Sequence, residues 1–470
     1  MTAQTYISQL HGEAAGEALS ALCVLGKTKA GREEINALLG DRLVLREVAE
    51  SPTPKVRKNA YRLMGALEDG RDLPVLREAL RREETLFAVP SLLLALGRLR
   101  DEETLRAYTP PASAGPETDG LVGQIVLARD KALQSFETYG TERIARLDAP
   151  RTVLCYPPEG FLDILMEELV ELGLSPSAEN GAAAVHTDRI DLVYRANCMA
   201  EALLPLAADV PLDAGEIARR VGTLPGERYR IELRGYTRDR RKLIAALAGA
   251  LPGQNNPSAY DTELRVDCRL DRADLYLKLW NVQDERYPWR QRTVSASIHP
   301  AAAACLARYA MKFEKRERPR VLDPFCGCGS LLFAREALGP CRVLVGVDKS
   351  GAAVESARIN ARAGKSRASF VTKDALRFEA REGFDLILSN LPFGNRVGNH
   401  EDNTRLYDRF VRRLSELLAP GGVAVLYTME HKLLKACLAR ARGLTLREQK
   451  RTEAGGLLPW IFVVDRDEAR

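Results

Sequence analysis

Short apolar runs alternate with amphipathic stretches toward the carboxyl end of the chain. Five short runs rich in apolar residues are candidates for buried strands, and they fall at 321–322, 342–347, 368–372, 384–389 and 423–427. Helical patterns separate them at 330–338, 350–363 and 404–418. Strands and helices in this alternation predict a buried parallel sheet with helices on both faces. We therefore predict an α/β domain over residues 311–470.

The amino-terminal part of the chain has a different pattern, made of short amphipathic helices. The segment 61–67 is echoed by the segment 93–99, about 32 residues later, with a glycine at the same position of each. Paired helices that repeat in this way are typical of a small solenoid and resemble HEAT repeats. We predict a helical, HEAT-like region over residues 1–110. An ordinary helical bundle is the alternative.

A stretch rich in Pro, Gly and Ser, residues 109–120, has the composition of a linker. A helical segment over 121–139 follows it, and short strands and helices then alternate. The predicted strands are 152–155, 182–185 and 228–233, and the predicted helix is 161–172. This pattern predicts an α+β region over residues 121–310.

Composition limits the class of protein. The chain has 470 residues, 46% of them hydrophobic, and a net charge of only +5, so its overall charge argues weakly for a polyanionic partner. We find neither an apolar run long enough to span a membrane nor a signal peptide at the start, and we expect a cytoplasmic protein. The nine cysteines lack paired CxxC clusters, so we expect neither a disulfide framework nor a metal site.

A glycine-rich segment, Asp-Pro-Phe-Cys-Gly-Cys-Gly-Ser at 323–330, follows the first strand of the predicted parallel sheet. Gly327 and Gly329 have no Cβ, so the backbone of this turn can approach a ligand closely. The segment lacks the GxGxxG spacing of dinucleotide-binding folds and the Lys-Ser/Thr ending of a P-loop. A site for a pyrophosphate is therefore disfavoured.

Acidic residues stand at the ends of three successive predicted strands, namely Asp323, Asp348 and Asp374. A carboxylate at the position of Asp348 can accept hydrogen bonds from ribose hydroxyls, and Asp374 is placed to accept from an adenine amino group. Any one of them alone is more commonly a solvated strand end. Together, at three successive strand ends, they form a pattern that a random α/β domain would seldom show.

These features make the final 150 or so residues resemble class I S-adenosylmethionine-dependent methyltransferases, with DPFCGCGS similar to the DPFCGSGT of that family. The resemblance implies a Rossmann-like fold and S-adenosylmethionine as the cofactor. Cys328 and Ser330 replace the usual Ser and Thr, so backbone contacts are the ones we expect to persist. The cofactor-binding residues that the resemblance implies are Asp323, Phe325, Cys326, Gly327, Gly329, Asp348, Lys349, Asp374, Ala375 and Asn390.

The fourth strand ends in Asn390-Leu391-Pro392-Phe393, which resembles the (D/N/S)-P-P-(Y/F) motif of amino-group methyltransferases. An exocyclic base amine is a poor nucleophile because its lone pair is delocalised into the ring. The Asn390 oxygen and a carbonyl next to Pro392 could accept its two N–H groups, and Phe393 could stack on the extruded base. We predict Asn390, Pro392 and Phe393 as catalytic residues. In isolation the tetrapeptide would be no more than a tight turn.

Several segments of the middle region resemble THUMP-containing RNA methyltransferases, which implies binding of structured RNA, typically tRNA. A basic cluster with interleaved tyrosines supports phosphate contacts. Glu232 and Asp239 could instead neutralise this cluster as a solvated face. The RNA-binding residues that we predict are Arg228, Arg230, Arg234, Arg238, Arg240, Arg241 and Lys242.

The sequence thus favours a methyltransferase that acts on guanine N2 in structured RNA, with tRNA preferred over rRNA. Methylation of a DNA adenine or of a protein glutamine is an enzymatic alternative. A non-catalytic scaffold is a further alternative, because the helical amino-terminal region could bind a protein partner.

Overall fold

The computed structural model of the chain describes residues 2–12, 14–26, 29–112, 115–134, 145–235, 237–257, 260–278, 286–294, 297–392, 400–453 and 456–468. The chain divides into two compact units, residues 1–139 and 140–470. No helix among the described residues is long and apolar enough to cross a membrane. All nine cysteines are free thiols. The finer division of the second unit at residue 310 stays a prediction.

The first unit is helical in its described residues. Its helices are α1 (Ala3–Ser8), α2 (Ala15–Leu25), α3 (Lys29–Leu39), α4 (Leu43–Ala49), α5 (Pro54–Leu67), α6 (Leu73–Arg82), α7 (Val89–Arg98), α8 (Glu102–Ala107) and α9 (Pro116–Gln134). Helix α9 begins inside the predicted linker, because a proline fits the first turn of a helix, where no intrahelical N–H donor is needed. It packs against α7 and so belongs to the first unit, whereas the sequence analysis counted this segment with the middle region.

The two echoed segments make the same kind of helix contact. A Cβ on Gly65 of α5 would lie 2.8 Å from the Cα of Ala95 in α7. A Cβ on Gly97 of α7 would lie 2.8 Å from the Cβ of Ala132 in α9. The repeated glycine therefore lets each helix approach the next one closely, which supports a structural repeat. Its assignment to HEAT repeats stays a prediction.

The second unit begins with an eight-stranded sheet in the order β2-β3-β1-β4-β8-β7-β5-β6. Its strands are β1 (Arg151–Tyr156), β2 (Pro176–Glu179), β3 (Ala182–Thr187), β4 (Glu201–Pro211), β5 (Arg228–Gly235), β6 (Gln254–Asn255), β7 (Thr262–Arg269) and β8 (Arg272–Lys278). Its helices are α10 (Leu162–Glu171), α11 (Ile190–Val193), α12 (Ala214–Val221) and α13 (Arg240–Ala250). This arrangement is consistent with the predicted α+β class, although the sequence analysis named only three of these strands.

A seven-stranded sheet follows, in the order β11-β10-β9-β12-β13-β15-β14. Its strands are β9 (Arg320–Asp323), β10 (Val343–Asp348), β11 (Ser369–Thr372), β12 (Phe384–Asn390), β13 (Leu418–Thr428), β14 (Leu444–Arg451) and β15 (Trp460–Arg466). Its helices are α14 (Pro300–Met311), α15 (Ser330–Glu336), α16 (Gly351–Gly364), α17 (His400–Leu417) and α18 (His431–Leu438). Strands β9 to β13 pair in parallel, which confirms the predicted Rossmann-like domain. Strands β14 and β15 add antiparallel pairs that we did not predict.

Helix α14 joins the two sheets of the second unit through one continuous hydrophobic core. The Arg308 guanidinium lies 2.7 Å from a Glu171 carboxylate oxygen and 3.8 Å from that of Glu168, both on α10. The Cys305 thiol donates to the Cys198 carbonyl across 3.5 Å. The same helix packs against α15 on its other side. It therefore fixes the middle region against the Rossmann-like domain.

The close helix approach in the first unit gives a matched pair of stability predictions. We expect Gly65→Ala to lower the free energy of unfolding of this unit by about 1–3 kcal/mol, because the new methyl group overlaps the α7 backbone. Gly123→Ala, at an exposed position of α9 with no heavy atom within 4 Å, should raise it by about 0.5–1 kcal/mol. Urea unfolding followed by circular dichroism measures both. Equal effects of the two substitutions would show that packing at Gly65 is loose.

Candidate active site

The residues predicted for the site converge on one edge of the seven-stranded sheet. Parallel strands end at the same edge, and Asp323, Asp348 and Asn390 are the last residues of β9, β10 and β12. Asp374 follows β11 by two residues. The chain order reverses between β9 and β12, which lie side by side, and open α/β sheets bind ligands at such a switch point.

The glycine-rich segment forms a loop that the neighbouring strand β10 holds in place. The Cys326 N–H donates to the Val347 carbonyl across 2.9 Å. The Gly327 N–H donates to Oδ2 of Asp348 across 3.0 Å. Gly327 and Gly329 have φ angles of 51° and 90°, which residues with a Cβ rarely adopt. The loop is thus fixed in a conformation that depends on both glycines.

Asp323 lies beneath this loop and is 2% exposed. Its Oδ1 accepts hydrogen bonds from the Ser389 hydroxyl at 2.6 Å and from the Phe325 N–H at 3.1 Å. Burial raises the pKa of Asp323 to about 7. The carboxyl group therefore links the loop to β12, and its buried position makes it a positioning group. Ser389 was missed by the sequence analysis, although a hydroxyl within an apolar strand was a signal.

Asp348 and Asp374 are both partly exposed at the strand ends. The Asp348 carboxylate also accepts the Ser350 N–H at 2.9 Å, on the oxygen opposite to the one that binds Gly327. Each of its oxygens retains lone-pair capacity that could receive a ribose hydroxyl. Asp374 accepts the Leu376 N–H at 2.9 Å and caps a short 3₁₀ turn. Lys349, which follows Asp348, is exposed, and Ala375, which follows Asp374, is buried.

The side chains of Phe325 and Cys326 pack into the protein. The Phe325 ring lies 5.0 Å from the Phe410 ring, in an edge-to-face contact. A Cβ on Gly346 would lie 2.9 Å from the Cys326 sulfur, so this thiol faces β10. Burial raises the pKa of the Cys326 thiol. The backbone of the loop, rather than these two side chains, is therefore available for contact with a cofactor, as we expected for this segment.

Asn360, on α16, is a positioning residue that the sequence analysis missed. Its side chain is fully buried, and its Nδ2 donates to the carbonyls of Arg292 at 2.8 Å and Cys328 at 3.1 Å. Its Oδ1 accepts the N–H groups of Gln291 and Arg292. Asn360 thus ties the segment before α14 to the glycine-rich loop. An amide on the apolar face of a helix was the available signal.

Asn390 presents an unused acceptor at the end of β12. Its Oδ1 is buried and has no hydrogen-bond partner among the described residues. The Leu391 N–H donates to the Tyr427 carbonyl across 2.9 Å, which fixes the turn that follows. Burying an oxygen without a donor is costly, and a substrate N–H would remove that cost. Phe393 lies outside the described residues.

Tyr407 of α17 holds the Pro392 end of this turn. Its hydroxyl donates to the Pro392 carbonyl at 3.1 Å and lies 2.6 Å from the Thr428 hydroxyl. Thr428 in turn accepts the Glu430 N–H at 2.9 Å. All three contacts are satisfied when Thr428 donates to Tyr407 and Tyr407 donates to Pro392. No sequence pattern pointed to Tyr407.

The predicted basic cluster separates into two groups. Three arginines lie within 3.4 Å of a carboxylate oxygen, in the pairs Arg228–Asp261, Arg230–Glu232 and Arg234–Glu201. Arg240 donates to the carbonyls of Leu233 and Gly235. These four side chains are therefore engaged within the fold, contrary to a simple phosphate-binding role. The remaining three are exposed and have no carboxylate within 4.0 Å among the described residues, namely Arg238, Arg241 and Lys242.

The donor set fits S-adenosylmethionine. The fixed glycine loop, the part-exposed Asp348 and the unpartnered Asn390 oxygen offer a backbone cradle, a hydroxyl acceptor and an amine acceptor along one sheet edge. Among the described residues, no group of three or more His, Cys, Asp or Glu side chains could hold a metal ion.

Comparison with known proteins agrees with this geometry. Residues 288–459 match the family described as UPF0020, RMKL-like, methyltransferase domain. The chain is 25% identical to the tRNA (guanine(6)-N2)-methyltransferase of Methanocaldococcus jannaschii, over 43% of this chain and 66% of that one. It is 28% identical to the ribosomal RNA large subunit methyltransferase K/L of Aliivibrio fischeri, over 39% of this chain and 32% of that one.

Among solved structures, TrmN from Thermus thermophilus is similar, with a TM-score of 0.55 and 27% identity over 67% of this chain and 99% of that one. The parallel sheet and its ligand-binding edge fit the methyltransferase domain that residues 288–459 match. The chain spans 66% and 32% of the lengths of the two curated relatives.

Asp348 provides a test of the cofactor site. We expect Asp348→Ala to weaken S-adenosylmethionine binding by about 1–3 kcal/mol, because the ribose loses an acceptor and Gly327 loses its anchor. Isothermal titration calorimetry measures the affinity, and Glu355→Ala, which removes an exposed carboxylate from α16, is the control. Parent-like affinity in the folded Asp348→Ala protein would remove this residue from the site.

Tyr407 provides a test of the turn that follows Asn390. Tyr407→Phe should lower kcat on the order of tenfold, because the Pro392 carbonyl loses the donor that orients it. Cofactor affinity and RNA KM should stay within about twofold, since the hydroxyl is remote from phosphate contacts. Tyr309→Phe is the matched control, because it removes a hydroxyl bonded to Glu448. A proportional loss of kcat and cofactor affinity would indicate general damage to the fold.

Proposed function

We propose that this protein methylates the exocyclic N2 amine of a guanine in structured RNA, with tRNA as the preferred substrate. The observation that carries the proposal is the buried Asn390 oxygen, which has no partner among the described residues and follows the strand beside the glycine-rich loop. The oxygen at this position can accept a donor from a bound substrate. The two N–H groups of an amine supply one.

The proposed mechanism depends on orienting the amine. S-adenosylmethionine supplies an electrophilic methyl group when it is bound. The Asn390 oxygen and the Leu391 carbonyl, next to Pro392, accept the two N–H groups, so that the nitrogen becomes more pyramidal and its lone pair is less delocalised into the ring and available to an electrophilic methyl group. The methyl–sulfur bond would break as the N–C bond forms, the sulfur would keep the electron pair as S-adenosylhomocysteine leaves, and the nitrogen would then release a proton to water. No strong base is needed.

The remaining residues of the turn maintain this geometry. Leu391 is tied to Tyr427, and Pro392 is tied to Tyr407. Proline restricts the backbone of the turn, and the hydrogen bond from Tyr407 prevents its carbonyl from rotating. In the proposed mechanism Phe393 stacks on the extruded guanine. The turn thus acts as a rigid acceptor that is complementary to the amine in the transition state.

The choice of guanine N2 in tRNA rests on the relatives. The M. jannaschii relative is a tRNA guanine-N2 methyltransferase, and the A. fischeri relative acts on ribosomal RNA. We therefore keep an rRNA guanine as the second substrate candidate. DNA adenine and protein glutamine have no support from these relatives. A cytoplasmic location stays a prediction.

RNA binding is assigned to the middle region, which we propose to be THUMP-like. Arg238, Arg241 and Lys242 lie at the start of α13 and leave their charges exposed. Free cations on one surface suit phosphate contacts. Binding of a protein partner by the helical first unit is a separate prediction.

Nucleoside analysis tests the proposed function. Purified enzyme, labelled S-adenosylmethionine and tRNA from a strain that lacks the gene should yield labelled N2-methylguanosine, identified by mass spectrometry. Ribosomal RNA, a DNA duplex and a glutamine peptide serve as competing substrates. Labelling of DNA or peptide in preference to both RNAs would overturn the proposal.

Asn390 tests the chemistry. Asn390→Ala should lower kcat on the order of a hundredfold or more, because one of the two acceptors that orient the amine is lost. RNA affinity should change little, because it comes mainly from phosphate contacts outside the pocket. Single-turnover methylation at saturating cofactor measures the rate, and filter binding measures the affinity. A parent-like rate would show that the amine is oriented by other groups.

A further inference from the structure

An aromatic stack lies at the edge of the sheet that carries the site, and the proposed chemistry does not use it. The His431 and Trp460 rings are stacked, with centroids 5.1 Å apart and planes inclined by 19°. His431 begins α18, just after β13, and Trp460 begins β15. Because β15 runs antiparallel to β13, its first residue lies where β12 and β13 end. Both rings are partly exposed.

Strand pairing gives the separation between this stack and Asn390. Asn390 pairs with Tyr427 on β13, and Tyr427 pairs with Ile461 on β15. Two strand spacings, or about 10 Å, separate the backbones of β12 and β15. The Trp460 ring packs on the face of the sheet that carries α17 and α18, whereas Asn390 is in register with Tyr427 and Ile461 of the opposite face. Trp460 precedes Ile461 and lies one residue further toward the ligand edge. A nucleotide next to an extruded base could reach this distance.

Two exposed cations flank the stack. Arg451 pairs with Trp460 across β14 and β15, and Lys432 follows His431 in the chain. Both side chains are exposed, and among the residues described neither has a carboxylate within 4.0 Å. Leu457 and Leu458, in the turn between β14 and β15, are 41% and 43% exposed. Arg451 also interacts electrostatically with the exposed Glu159 carboxylate. Aromatic rings with adjacent exposed cations form the pattern that binds single-stranded nucleotides.

We propose that the edge platform, defined as His431, Trp460, Lys432 and Arg451, binds a nucleotide adjacent to the target guanine. The base of that nucleotide stacks on the exposed part of the aromatic pair, and its phosphate contacts the two cations. This inference rests on the proposed RNA substrate and adds a subsite for the flanking nucleotide. The platform holds the RNA strand open beside the extruded guanine.

Substitution of Trp460 tests the stacking. Trp460→Leu should raise the tRNA concentration at half-maximal single-turnover rate about tenfold, since stacking of one base has this value. The rate at saturating tRNA should stay within about twofold of the parent, because the reacting groups are untouched. Trp460→Phe keeps an aromatic face and should rescue most of the affinity. Cofactor binding by each variant confirms folding.

Substitution of the cations tests the phosphate contact. The substituted side chains are exposed, so their loss should not disturb the fold. Arg451→Gln should weaken binding of tRNA and lower the slope of its salt dependence by about one unit. Arg442→Gln is the matched control, because Arg442 is exposed just before β14, at the opposite edge of the sheet. It should leave both quantities unchanged.

The outcomes separate the platform from the proposed function. If the parent methylates tRNA but Trp460→Leu and Arg451→Gln bind it as the parent does, the platform is wrong and the proposed function stands. If Trp460→Phe loses as much affinity as Trp460→Leu, aromatic stacking is wrong. If the parent neither binds nor methylates tRNA or rRNA, the proposed function fails and the platform fails with it.

Discussion

The buried carboxyl of Asp323 is the contact on which the geometry of the site depends. It accepts from the loop at Phe325 and from Ser389, one residue before Asn390. One group therefore connects the glycine-rich loop to the end of β12, the strand that carries Asn390. Methyl transfer requires the methyl donor and the accepting nitrogen to be in line. The hydrogen bonds of Asp323 fix the distance between the loop and β12, on which that alignment would depend. Asp348 performs a similar task on the other side of the loop.

The sequence predicted the parallel part of the fold well, because each strand is an apolar run bounded by a helix of clear period. It missed β4, whose Ala- and Pro-rich sequence lacks a strand pattern, and the antiparallel β14 and β15. The predicted linker was wrong in its second half, where Pro116 begins α9. Local composition identifies a helix breaker, but it does not show that the same proline fits a first helical turn.

The candidate site was predictable where its chemistry is contiguous in the chain, as in the loop at 323–330 and the turn at Asn390. Asn360 and Tyr407 were not predictable, since each acts on a segment that only the fold brings near. The arginine cluster shows the same limit. Arg234 pairs with Glu201, 33 residues away, which also pairs with Arg265 and Lys278, and no local count of charges could reveal that partner. Whether an arginine is free for RNA is a property of tertiary structure.

The shared core around α14 has a consequence for how such enzymes diversify. Residues of the middle region and of the Rossmann-like domain contribute to the same apolar interior, and α14 carries ion pairs to α10. Cutting between them would expose apolar surface on both halves. Domains that exchange independently are usually separated by small polar interfaces, whereas the middle region and the Rossmann-like domain share a hydrophobic core. New binding specificity would thus arise by substitution on exposed surfaces, with the middle region and the Rossmann-like domain inherited together.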